Sequence, residues 1–121
     1  MTTINIAPKA ELTHNDKVWA SQIASTIQQQ MTFPNRVVFW SWGVSKYAYG
    51  INENGEAFLR FKVNGRKFKG YVWVVYDFSD TYKIAFVSTR GNVKKEVVDV
   101  YCDQLQEIID DFVENVDDYE F

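Results

Sequence analysis

At 121 residues, with 46% apolar and 17% aromatic residues, the chain is long enough for one hydrophobic core and too rich in large side chains to be disordered. Its single cysteine, Cys102, excludes an internal disulfide, and no apolar run approaches the roughly 20 residues that span a bilayer. The net charge of −3 hides an asymmetry: all 13 Lys and Arg lie within residues 1–98, whereas residues 99–121 hold nine acids and no base. Either the two parts neutralise each other within one fold, or they form interaction surfaces of opposite sign.

Residues 1–12 lack periodicity and contain Pro8, which predicts a mobile N-terminal arm ahead of a single domain over residues 13–121. No basic segment followed by an apolar stretch opens the chain, so a cytoplasmic protein without membrane partners is expected. From Asn15 to Met31, Trp19, Ile23, Ile27 and Met31 recur every four residues beside Ala20 and Ala24, predicting a helix capped by Thr13 or Asn15. Phe33-Pro34-Asn35 stops it. Arg36 to Trp42 reads as a strand with Val38, Trp40 and Trp42 on one face, a large apolar surface that suits core or a homodimer interface better than a ligand-stacking site. Gly43 breaks or bulges this strand, and Tyr47, Tyr49 and Ile51 continue an extended pattern to the loop Asn52–Gly55.

Asn64-Gly65 then divides two alternating runs, the signal for a hairpin with a two-residue type I′ turn. That turn places Val63 opposite Arg66, Lys62 opposite Lys67, Phe61 opposite Phe68, Arg60 opposite Lys69, Leu59 opposite Gly70 and Phe58 opposite Tyr71. One face carries Leu59, Phe61, Val63, Phe68, Val72 and Val74 as core. The other carries Arg60, Lys62, Lys67 and Lys69 beside Phe58, Tyr71 and Trp73. Like charges directly opposed are destabilising, and a bound anion is the simplest compensation. After the turn Asp77–Asp80, residues Thr81 to Ser88 form a strand, and Arg90-Gly91-Asn92 turns into Val93–Val98, a last strand or a lead into the final helix. That helix presents Tyr101, Leu105, Ile108, Ile109, Phe112 and Val116 on one face, with Asp99 as its N-cap. Its opposite face is acidic. Together the elements predict an α+β fold, an antiparallel meander of 4–5 strands flanked by an N-terminal and a C-terminal α-helix.

The string YVWVVYDFSDTYKIAFVSTRG and the following DVYCDQLQEII, within residues 71–109, resemble small uncharacterised proteins encoded by bacterial phages, plasmids and other mobile elements. The shared features are Asp80-Thr81-Tyr82, the Arg90-Gly91 turn, Val100-Tyr101 and Asp103-Gln104-Leu105. The Thr-Gly-Leu that often follows the terminal helix in those proteins is missing here. The resemblance implies a mobile-element origin and an α-β-meander-α layout, and it implies no mechanism.

No catalytic or metal-binding set emerges, and no cofactor is expected. His14 stands alone in the N-terminal region. Cys102 opens a helix, which favours a thiolate, but Asp99 and Asp103 oppose it. One His and one Cys cannot build a nitrogen–sulfur zinc site, and phosphate-binding glycine motifs are missing. Asp110, Asp111, Glu114, Asp117 and Asp118 fan over a helix without a calcium-binding turn and read as a solvated face. A non-enzymatic binding protein follows. One reading is nucleic-acid binding, with Phe58, Tyr71 and Trp73 stacking on bases and Arg60, Lys62, Lys67 and Lys69 neutralising phosphates. Against it, a terminal helix would cover the aromatics and leave the lysines as a solubilising fringe that also protects a sheet edge. The alternative is a protein–protein adaptor or inhibitor, for example of a host defence system, docking through Asp103, Glu107, Asp110, Asp111 and Glu114 with tail aromatics Tyr119 and Phe121.

Overall fold

The computed structural model describes Ile4, Ile6 and residues 8–77 and 80–114. Helix α1 (His14–Thr32) and a short helix α2 (Arg36–Ser41) precede five strands: β1 (Ser45–Ile51), β2 (Ala57–Asn64), β3 (Lys69–Asp77), β4 (Thr81–Ser88) and β5 (Val93–Val100). A single 3-10 turn (Cys102–Gln104) leads into α3 (Leu105–Val113). The strands pair in chain order as one open antiparallel sheet, the arrangement that short connections favour. The expected α+β class with an antiparallel sheet is observed. Val116 and the tail beyond it lie outside the described residues, as does the centre of the Asp77–Asp80 turn.

Helix α1 begins where its sequence places it. Thr13 Oγ1 accepts from Asp16 N at 3.1 Å and Asp16 Oδ2 accepts from Thr13 N at 3.0 Å, a capping box that satisfies two otherwise unpaired donors. Ala20, Ala24, Ile27 and Met31 are buried. Arg36–Trp42, expected as a strand, is instead helical. Asn35 Oδ1 accepts from Val37 N at 3.0 Å and Val38 N at 3.3 Å, so a cap directly after Pro34 overrides the β-branched and aromatic content. The expected shared face of Val38, Trp40 and Trp42 is therefore lost. Trp42 is fully buried and its Nε1 donates to Asp110 Oδ1 at 2.9 Å, while Trp40 points to solvent. The homodimer expectation built on that pair loses its basis.

The Asn64-Gly65 turn is also corrected. Neither residue has positive φ, and Asn64 pairs with Lys69, leaving a four-residue loop, Gly65 to Phe68. Each β2 residue meets a β3 partner four positions later than a two-residue turn would give: Leu59 meets Val74 and Arg60 meets Trp73. The shift is even, so the faces survive while the opposed pairs change. The loop departs from the tight turn because it rests on the end of α3, where Val113 O accepts from Lys67 N at 2.9 Å and Phe68 N at 3.3 Å. Gly65 is needed for close approach: a Cβ there would collide with the Val113 carbonyl.

Asp99 does not cap a helix. It lies within β5 at φ 58°, in the extra residue between the pairs Ile84–Val97 and Tyr82–Val100. Aspartate tolerates the left-handed conformation, and the bulge turns Val100 into the core. Leu105, Ile109 and Val113 of α3 pack with α1 and α2 over Leu59, Phe61, Val63, Val72, Val74, Ile84 and Phe86. Gln106 is buried, its Nε2 donating to Met31 O at 2.7 Å and Asn35 O at 2.9 Å, which ties α3 to the α1–α2 junction. On the opposite sheet face, Ile4 packs with Phe58, Trp73, Val75, Ala85 and Val87. No helix among the described residues is long and apolar enough to cross a membrane.

Gly65→Ala should destabilise the fold by about 1–3 kcal/mol in urea unfolding, because backbone on both sides must move to admit the methyl group; an unchanged midpoint would remove the close approach. Burial pushes the Tyr82 phenol up to about 12 from 10.0, and the bond to Glu56 raises Lys83 above 10.5. Both folded-state values lie above the unfolded ones. Their contribution is therefore complete below about pH 10 and is lost as pH rises toward 12. Tyr82→Phe, which also loses the bond to Gln30 Oε1, should lower neutral stability by about 1 kcal/mol and flatten this alkaline decline.

Candidate functional site

In a meander, successive turns fall at alternate ends of the sheet. The starts of β1, β3 and β5 and the ends of β2 and β4 therefore gather at one end. The segments there, residues 43–46, 62–69 and 88–95, carry Lys46, Lys62, Arg66, Lys67, Lys69, Arg90, Lys94 and Lys95, eight of the chain's 13 bases, and no acid. The other end gathers Glu53, Glu56, Asp77, Asp80, Asp99 and Asp103. The lysines there are paired, Lys83 to Glu56 at 2.9 Å and Lys9 to Asp16 at 3.8 Å. The sheet is thus charged oppositely at its two ends.

Carboxylates reach the basic end from the last turn of α3. Glu114 Oε1 lies 3.2 Å from Arg66 Nε, and its Oε2 accepts from Arg66 N at 2.7 Å. Lys67 Nζ donates to Asp111 O, so Lys67 turns toward the helix and away from the sheet face expected for it. Lys46, Lys62, Lys69, Arg90 and Lys94 make no ion pair among the described residues. Lys62 and Lys69 line an open groove of about 560 Å³ with Gly43, Ser45, Val63, Asn64 and Thr89. No carboxylate lines it. A larger groove, about 680 Å³, between α3 and β5 is of mixed sign, with Lys67 and Lys95 against Glu96 and Asp111.

From this end a stripe runs down the sheet face that the helices leave uncovered: Lys69, then Lys62 paired with Tyr71, then Arg60 paired with Trp73. The Arg60 guanidinium carbon sits 5.4 Å from the Tyr71 ring centre and 5.6 Å from that of Trp73. Arg60 Nε is buried without a hydrogen-bond partner, and the two aromatic faces lie against the guanidinium in its place. The opposed Lys62–Lys67 and Arg60–Lys69 pairs expected from the tight turn do not form; each cation on β2 instead faces an aromatic. The predicted stacking platforms are likewise corrected. Phe58 and Trp73 are 4% and 8% exposed and pack on each other at 4.8 Å with Ile4 over them, leaving Tyr71 half-buried beside Lys62.

Of the acidic-helix residues, Asp103, Glu107 and Asp111 are exposed, while Asp110 holds the Trp42 indole and Glu114 holds Arg66. Cys102 and His14 are both exposed and far apart in the chain, and no group of three His, Cys, Asp or Glu suited to a metal ion occurs among the described residues. Lys46, Arg90 and Lys94 escape a hairpin-centred reading because they come from other turns; summing charge over alternate turns of the meander would have found them. No protein-family model, curated protein or solved structure matches this chain.

Cations crowded without acidic partners repel one another. Lys62→Ala with Lys69→Ala should therefore leave stability unchanged or raise it by about 0.2–1 kcal/mol, and added salt should stabilise the parent protein more than the double variant. Thermal unfolding at two ionic strengths checks this; a marked loss of stability would mean that the lysines hold the fold together.

Proposed function

We propose that this protein is a non-enzymatic binding protein that holds nucleic acid by its phosphate backbone at the basic end of the sheet. The observation that carries the reading is the groove lined by Lys62 and Lys69, free of carboxylates, at an end where three separate segments converge with eight cations. A phosphate chain lying there relieves the mutual repulsion of Lys46, Lys62, Lys69, Arg90 and Lys94 and releases its own counterions. Arg60 extends the positive stripe onto the sheet face. Trp73 supports Arg60 from below, Phe58 packs on Trp73, and neither buried ring has a role as a base platform. Backbone contacts of this kind carry no sequence information, so binding is expected to be sequence-tolerant. A mobile-element origin, implied by the resemblance of residues 71–109, accords with such a role.

The adaptor reading through the acidic helix has less support, because Asp110 and Glu114 are engaged within the fold. Charge reversal separates the two. A labelled oligonucleotide should bind at low salt and weaken steeply as salt rises, with a logarithmic slope of about −0.7 to −0.9 per phosphate neutralised. Lys62→Glu with Lys69→Glu should abolish this binding, whereas Asp103→Lys with Glu107→Lys should preserve it. Absence of binding at low salt would refute the proposal.

A further inference from the structure

Trp40 is the one tryptophan that the fold leaves open to solvent. It is 69% exposed, while Trp42 is fully buried, Trp73 is nearly so and Trp19 is half-covered. Its place in α2 puts it beside the basic end. Trp40 O accepts from Gly43 N at 3.3 Å, and Gly43 lines the groove of Lys62 and Lys69. Ser41, the next residue after Trp40, lines a second depression of mixed sign with Arg66, Lys69 and Glu114. The indole is thus carried at a helix end, within a turn of chain from the carboxylate-free groove of Lys62 and Lys69.

Resting on the nucleic-acid reading above, we propose that Trp40 is a stacking platform for an unpaired base, which makes the ligand single-stranded nucleic acid. A strand whose phosphates lie along Lys69 and Lys62 has its bases free on the other side. A base turned toward α2 meets an exposed aromatic face, and every base can use such a face. Duplex DNA or RNA keeps its bases stacked internally and gains nothing from Trp40. A second copy of the chain fits the patch less well. Phe33, Val37 and Trp40 together expose on the order of 400 Å², about half of the ~800 Å² per partner in a standard interface.

The test uses the full chain with two labelled probes, a single-stranded oligothymidylate of roughly 12 nucleotides and a hairpin duplex of equal phosphate number. Trp40→Ala should weaken single-strand binding about tenfold, leave duplex binding and the salt slope unchanged, and remove ligand quenching of tryptophan fluorescence. Trp40→Phe should recover much of the loss. If Trp40→Ala binds the single strand as the parent does, or loses both probes equally, the stacking role is overturned while backbone binding through Lys62 and Lys69 stands. If the parent protein binds neither probe, both readings fall.

Discussion

The seat of the β2–β3 loop on the last turn of α3 fixes more of this molecule than any other contact. The C-terminal carbonyls of a helix lack intrahelical donors and concentrate partial negative charge. Here the loop supplies what is missing. Lys67 and Phe68 donate their backbone N–H groups to Val113 O, and Arg66 pairs with Glu114. Phe68 anchors the same loop in the core, its ring 5.1 Å from Phe112 and 5.9 Å from Phe86. Only glycine at position 65 lets the two backbones approach this closely. The helix end thereby sets the loop length, the loop sets the strand register, and the register decides which side chain each cation of β2 faces.

A second consequence concerns charge. The linear sequence separates a basic body from an acidic tail, and that division suggests a basic domain with an acidic helix attached. The folded molecule is polarised along a different axis. Because the meander sends alternate turns to opposite ends, bases from three turns collect at one end and acids from the others collect at the opposite end. The last turn of α3 then reaches into the basic end and partly offsets it at Arg66 and Lys67. What remains unpaired is a patch centred on Lys62 and Lys69. The sign of this local field is set by the nearest charges and not by the negative total, since fields beyond about 8–10 Å are screened at physiological salt.

Burial on the helix-free sheet face is resolved by a mixture of means. Ile4 covers Phe58, Trp73 and Val75 at one part of it, and Arg60 lies over Tyr71 and Trp73 at another. An arginine stem with a weakly hydrated planar head suits that task, covering apolar rings while keeping its charge close to water. The uncovered remainder grades from Arg60 through Lys62 to Lys69. Apolar and cationic surface are therefore continuous, and the same residues that finish the fold on this side begin the candidate binding surface.

The alternation of Leu59, Phe61, Val63, Val72 and Val74, the four-residue spacing of α1 and a cap at Thr13 or Asn15 were readable directly, because periodicity and capping act within a few residues. The faces of the central strands were readable for the same reason: side chains alternate with period two, and an even change of register leaves the alternation intact. Local sequence could not show that Asn64-Gly65 would be held open by a helix forty-eight residues later in the chain, as the Arg66–Glu114 bond spans. Nor could it choose between strand and helix for Arg36–Trp42, where the Trp42 indole finds its acceptor on Asp110 and Gln106 secures the preceding junction. Asp99 followed the same rule, its capping preference yielding to a bulge that buries Val100. Sequence alone determined the apolar faces, the antiparallel class and the hairpin cations, since these depend on neighbours along the chain. Tertiary structure decided the register, the burial of Phe58 and Trp73, the exposure of Trp40 and the gathering of charge at one end, since each depends on groups that only folding brings together.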